Sequence, residues 1–346
     1  MPTTSAGTST STTPTPTSTA VDDTLQGVVD SFVGGADGGV VALTIRDSTA
    51  TTFSAGTATA NGDAMNADTP FRVGSISKPF IATMVLQLVD DGRVDLDEPL
   101  STYLPGTPVG GDVSLRSLLS HRSGIPNYTD RSGFFVAVLA DRDHSYSLDE
   151  ILEFVADEPG APAEQRFNYS NTNYILLGQL IERVSGTDLS TALRTRIAEP
   201  LSLEATMFAG SGGEEPANLA AGWSPGVLTG DPAAPYQSIA SSAWSAGALI
   251  STTADLARFL TGLFAGELIS EDALHQMTDV ADEGYGLGLF AARLGPDSAG
   301  YAHNGAIPGD SSTMAIDPVS GDIIVVPTSN DALVADLLAP QILSTW

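Results

Sequence analysis

The stretch from Lys78 to Leu100, KPFIATMVLQLVDDGRVDLDEPL, limits the possible folds more than any other part of the chain. Read as a helix, it places Phe80, Ile81, Met84, Val85, Leu86, Leu88 and Val89 around most of the circumference. A helix that is apolar on nearly all sides has to be enclosed by other elements. The chain therefore needs a core large enough to surround it, and 346 residues supply one. Pro79 is tolerated inside a helix only in the first turn, where its missing N–H has no partner in any case. The helix is thus expected to start just before it, with Ser75 at the N-terminus and Gly92 as the stop.

The elements around that helix change character along the chain. Leu25, Val28, Val29, Phe32 and Val33 recur at helical spacing and are followed by Gly34 and Gly35, so a helix is expected there. GVVALTI and TTFSAGTATA flank the turn-rich RDSTA and predict a β-hairpin. From about residue 93 to 240 the pattern is helical with long loops. Ser147 to Glu150 forms a capping box, and Ile175, Leu176, Leu180, Ile181 and Val184 mark a helix stopped by Gly186. The stretch from Ser211 to Gln237 is rich in Gly and Pro and reads as irregular. Strand character returns in YGLGLFAA, GYAHNG, STMAI and DIIVVPT, the last two joined by the turn DPVSG, before a closing helix in DALVADLLAPQILSTW. There is no internal repeat. This order predicts an α/β domain built from both chain ends, residues 24–80 and 240–346, with a mainly helical insertion over 81–239 and the active site between them.

Composition narrows the function. A formal charge of -28 and a pI near 4.1 argue against nucleic acid and against anionic lipid, both of which need clustered cations. Diffuse acidity reads instead as a solubility device or an adaptation to salt. The absence of cysteine excludes disulfides, thiolate metal sites and thiol nucleophiles. His144 and His275 have no partner at metal-ligand spacing, and Asp95 and Asp97 fit no calcium loop, so no metal or cofactor is expected. No run of 18 apolar residues is present to span a membrane. The first 23 residues are a Ser/Thr/Pro tract expected to be disordered, without the basic and apolar regions of a signal peptide. Such tracts often tether exported proteins, so an extracellular or envelope-associated monomer is expected, its export signal lying upstream.

Lys78 is the only lysine; the other 13 basic residues of the 14 are arginines. It stands three positions after Ser75, nearly one helical turn, so the two share a face. A serine hydroxyl is a poor nucleophile until something takes its proton. An amine desolvated by IATMVL can lose its charge and act as that base, whereas an arginine cannot. Ser75 at a helix N-terminus also sets a backbone N–H and the positive dipole end where an oxyanion would form.

FRVGSISKPF together with VLQLVDDGRVDLDEPLSTYLPG resembles the penicillin-recognising serine hydrolases, which comprise class C β-lactamases, D-alanyl-D-alanine carboxypeptidases, D-aminopeptidases and related esterases. The three motifs of that family occur in order: Ser75-Ile76-Ser77-Lys78, Tyr169-Ser170-Asn171 and His303-Asn304-Gly305. LLSHRSGIPNYT, IAEPLSLEATMF, SAGALISTTADLARFL and GYGLGL are similar too, so the likeness covers roughly residues 24 to 346. It implies an antiparallel sheet flanked by helices, as in β-lactamases and transpeptidases, with an inserted helical domain. It also implies an acyl-enzyme on Ser75, with Lys78 as base. Tyr169 would relay a proton, its pKa lowered by cationic neighbours, and Asn171 would orient Lys78 and donate to the substrate amide. His303, where many relatives carry lysine, would supply a proton or partial positive charge. The oxyanion would sit between the backbone N–H groups of Ser75 and Ala306. Asn304, Gly305, Trp244 and Arg293 are the candidates for substrate contact, and His121 is expected to bond a turn.

Within the family the chain is most similar to actinomycete-type D-alanyl-D-alanine carboxypeptidases, through FRVGS, LQLVD, TYLPG, SHRSG, YSNTN and GYGLGL. Those enzymes place hydroxyl residues where Asn304 and Ala306 stand, and an arginine just after GLGL, where this chain reads FAAR. The departures leave room for an esterase or amidase with an uncharged substrate, and a class C-like β-lactamase or an esterase or D-aminopeptidase of the same fold is the alternative reading. A non-catalytic domain that binds penicillin or peptidoglycan is another reading. A further one is an α/β-hydrolase with Ser245 in a degenerate nucleophile elbow, followed by Asp255 and His303, although no strand is expected before Ser245.

Overall fold

The computed structural model describes residues 18–59, 61–157, 166–210, 215–224, 237–281 and 283–345. A first helix, α1 (Ser18–Val33), starts six residues earlier than the sequence suggests, because the last proline of the Ser/Thr/Pro tract is Pro16 and nothing after it opposes a helix. The first 17 residues of the expected tail lie outside the described residues, as does most of the irregular stretch from Ser211 to Gln237. β1 (Gly39–Arg46) and β2 (Thr49–Gly56) form the expected hairpin. Asp47 and Ser48 turn it with φ of 48° and 62°, the pair of positive values that a type I′ turn requires.

The enclosed helix, α2 (Ser77–Asp90), is preceded by a 3₁₀ turn over Gly74–Ile76, so Ser75 sits in that turn and Pro79 falls in the first turn of the helix. The helical middle contributes α3 (Leu115–Leu119), α4 (Phe134–Ala140), α5 (Leu148–Glu153), α6 (Asn171–Ser185), α7 (Leu189–Leu193), α8 (Glu199–Leu201) and α9 (Gln237–Gly247). Both signals read there are present: the Ser147–Glu150 capping box, and Gly186 in the left-handed conformation after α6. α10 (Thr253–Phe264) and α11 (Glu271–Thr278) follow, and α12 (Ala335–Leu343) closes the chain.

Three short strands absent from the sequence reading, β3 (Phe71–Arg72), β4 (Met207–Phe208) and β5 (Leu249–Ser251), make a small sheet in the order β3-β5-β4. With β6 (Phe290–Ala292), β7 (Gly300–Ile307), β8 (Asp310–Asp317) and β9 (Asp322–Thr328), the hairpin builds a six-stranded sheet in the order β2-β1-β9-β8-β7-β6. All its pairs are antiparallel. Alternation along its strands feeds two cores. Val41, Leu43, Ile323 and Val325 join the larger cluster with α2 and α6, whereas Val40, Ala42, Ile324 and Val326 join a smaller one with α1 and α12. α2 is buried along nearly its whole length, as its apolar circumference demands.

Candidate active site

Two glycines bring the large sheet against the 3₁₀ turn. A Cβ on Gly305 would stand 2.0 Å from the Val73 carbonyl oxygen and 2.9 Å from the Ser75 nitrogen, and one on Gly74 would stand 2.8 Å from the Ala306 nitrogen. Only hydrogen fits there, so β7 passes close enough for Ser75 and Ala306 to line one pocket. Gly74 also has φ of 54°, a second reason for glycine at that position.

Lys78 lies one turn into this arrangement and is fully buried. Its Nζ is 3.0 Å from Ser75 Oγ, 2.8 Å from Asn171 Oδ1 and 2.7 Å from the carbonyl oxygen of Ala246. Asn171 opens α6, and Ala246 follows a break in α9 at Trp244, whose φ of 33° and ψ of -123° turn the chain. The Asn171 amide is held in turn by Thr129 Oγ1, which accepts from Nδ2 at 3.2 Å. Burial holds the Lys78 amine well below its usual pKa. A neutral amine suits these contacts. It donates to the two carbonyl-type oxygens, which can only accept, and, once deprotonated, can turn its lone pair to the Ser75 hydroxyl, to which the ammonium form donates.

Tyr169 precedes α6, and the Ser75 side chain acts on its hydroxyl. Lys78 Nζ lies 4.9 Å from the Tyr169 ring centroid. Contrary to the expectation from nearby cations, burial of the hydroxyl pushes the phenol up, and the Ser75 side chain offsets only part of that. Tyr169 is therefore a protonated donor at neutral pH.

His303 departs further from the sequence reading. It is buried below the pocket, with Nδ1 2.6 Å from the Asn304 carbonyl oxygen and Nε2 3.2 Å from the Tyr285 hydroxyl. The carbonyl can only accept, so Nδ1 carries the proton and Nε2 takes that of Tyr285. Burial, with the nearby Lys78, pushes its pKa down to about 3, so it supplies no positive charge at neutral pH.

The expected substrate contacts are only partly brought together. Asn304 is exposed on β7, but its Nδ2 donates to Asp336 Oδ2 of α12 at 2.5 Å. Trp244 lies over α6, its ring 2.9 Å from where a Cβ on Gly178 would be, and does not line the pocket. Arg293 is exposed and donates to the Pro296 carbonyl oxygen at 3.1 Å. It follows Ala292, which pairs with Gly300, six residues from Ala306 along β7 and so roughly 20 Å from it. Ser245 is excluded as a nucleophile: it is buried, follows a helix rather than a strand, and its hydroxyl donates to the Tyr174 carbonyl oxygen at 2.8 Å. Asp255 caps other backbone, accepting from Ala205 N at 2.8 Å.

The pocket beside Ser75, about 90 Å³, has walls from Tyr128, Phe134, Phe135, Val138, Ile239 and Ile307, and among the described residues none that lines it is charged. Sequence reasoning missed these walls, along with Thr129 and the Ala246 carbonyl. A loop aromatic gives no sign of which cavity it closes, and a backbone carbonyl leaves no trace in residue type. Among the described residues no group of His, Cys, Asp and Glu could hold a metal ion, and no helix is long and apolar enough to cross a membrane.

The chain belongs to the β-lactamase family, whose profile it matches over residues 25–341. It is a serine hydrolase of the type that includes penicillin-binding proteins and D-amino acid amidases. PbpX of Bacillus subtilis (strain 168) is 30% identical over 263 residues, which are 76% of this chain but only 62% of that longer protein. The D-amino acid amidase of Ochrobactrum anthropi SV3, solved with D-phenylalanine, is 28% identical with a TM-score of 0.82, and the match covers 94% of this chain and 98% of that one. A D-stereospecific amidohydrolase from Streptomyces sp. is 30% identical with a TM-score of 0.80, covering 93% and 97%.

Proposed function

We propose that the protein hydrolyses amides of D-amino acids with apolar side chains, through an acyl-enzyme on Ser75. The observation that carries this is the fully buried Lys78, bound to Ser75, Asn171 and Ala246 beside a pocket lined, among the described residues, by no charged one. Ser75 Oγ attacks the carbonyl carbon while its proton passes to Lys78 Nζ. The oxyanion is received by the Ser75 and Ala306 N–H groups. Tyr169 protonates the departing nitrogen and is recharged from Lys78. Water then attacks the ester with the same residues in reverse, freeing the acid and restoring Ser75.

A substrate without a terminal carboxylate is favoured over a D-alanyl-D-alanine peptide for two reasons. The Asn304 amide, where a carboxylate-binding donor was expected, is spent on Asp336, and Arg293 stands away from the pocket. The two amidohydrolase structures cover nearly the whole chain and support the same substrate class. An extracellular or envelope setting agrees with it. The test compares D-phenylalanine amide, its L-enantiomer and an acyl-D-alanyl-D-alanine peptide, with Ser75→Ala as control and intact-protein mass to find the adduct. Faster turnover of the D-amide, lost in Ser75→Ala, is expected. Faster turnover of the peptide would replace this reading with the carboxypeptidase one.

A further inference from the structure

His121 follows the last turn of α3 with φ of 56°, a left-handed conformation in which a helix usually ends on glycine or asparagine. A histidine in that place needs another reason. Its carbonyl oxygen accepts the Asn168 N–H at 2.8 Å, and its Nδ1 accepts the Ser170 N–H at 3.1 Å. The two backbone amides on either side of Tyr169 thus end on one residue. The imidazole also lies against the Tyr169 ring, with centroids 4.2 Å apart and planes 33° from parallel. His121 does not line the pocket and reaches no substrate.

We infer that His121 is a positioning residue for Tyr169, clamping the backbone on both sides of it. The inference rests on the role given to Tyr169 above. Accepting from Ser170 leaves the ring proton on Nε2, which is buried without a hydrogen-bond partner. The ring therefore has to stay neutral, because a proton on Nδ1 would face the Ser170 N–H. Its surroundings enforce this: burial opposes a second proton, and Tyr169, Tyr174 and Tyr285 offer no carboxylate to draw one.

Two variants and one spectrum test it. Asn in place of His121 keeps an acceptor near the Nδ1 position and tolerates the left-handed backbone, whereas Gly keeps the backbone and removes the acceptor and the ring. His121→Asn is expected to hold kcat within about threefold of the parent. His121→Gly is expected to lose about a hundredfold in kcat with KM nearly unchanged, as misplacement of a reacting group does. A His121→Gly enzyme with parental kcat, or a His121→Asn enzyme as impaired as His121→Gly, would overturn the inference. In the unmodified protein, long-range ¹H–¹⁵N correlation should show Nδ1 unprotonated throughout the range in which a free imidazole titrates. A protonated Nδ1, or titration within that range, would overturn it even if a variant fails to fold. Turnover that survives Ser75→Ala would sink the proposed reaction instead, leaving the spectrum to decide the clamp.

Discussion

A neutral amine at Lys78 accounts for all three of its contacts and makes a sharp distinction between lysine and arginine. Arginine keeps its proton at any working pH and cannot accept one from Ser75. Lys78→Arg is therefore expected to lower kcat/KM about a thousandfold, within the range of a lost general base. The parent enzyme should also show a rate that holds steady through pH 10, where a free lysine would be titrating, and that falls only on the acid side as Lys78 gains its proton. His303, pushed down to about 3, cannot set that acid limb. A Lys78→Arg enzyme with most of its activity would refute the mechanism. At this scale the grouping of Ser75, Lys78, Tyr169 and Asn171 was legible, because the order and spacing of their motifs single them out and the fold brings them together. The state of His303 was not. A histidine at a motif position reads as a possible charge, and only its burial and its two partners show it to be neutral.

Between elements, the decisive contact is the one β7 makes with the 3₁₀ turn that carries Ser75. Gly305 permits it: a Cβ there would also meet Ser312 Oγ at 2.7 Å, besides the Val73 carbonyl. Ser312 Oγ itself donates to that carbonyl at 2.8 Å, so the neighbour cannot simply yield. Gly305→Ala should push β7 off the turn and separate the Ser75 and Ala306 amides. A fall of about a hundredfold in kcat, the size of losing one oxyanion donor, is expected with a lower melting temperature. An alanine variant with unchanged kcat would show that the pocket does not depend on this approach. Elements with several periods of pattern were readable in advance: the hairpin, α2, α6, and the strands near the C-terminus. The strands β3, β4 and β5, of two or three residues each, were not, since two residues cannot display a period. They exist because β5 lies between two partners, Arg72 and Met207 both facing Ile250.

Over the whole molecule, the chain-end contribution to the large sheet follows the order of patterns in the sequence, while the meeting of the small sheet with the large one does not. That meeting buries a charge pair. Asp310 at the head of β8 is fully buried with neither oxygen hydrogen-bonded, 3.9 Å from Arg72 of β3, which also pairs with Glu215 at 3.4 Å. Burial raises the Asp310 carboxyl from its ordinary 3.8 to about 7, Arg72 opposing the rise and Asp331 adding to it. Between these values the folded chain holds a proton that the unfolded chain has released, so this group makes stability fall as pH rises from about 4 to 7. Above 7 the cost is fully present, in a chain whose formal charge is already -28. Asparagine in its place has nothing to ionise. Asp310→Asn should therefore melt several degrees above the parent at pH 8, with the gap closing as pH is lowered toward 5. A gap that stays constant, or widens in acid, would mean that Asp310 is ionised in the folded protein throughout and that Arg72 outweighs its burial.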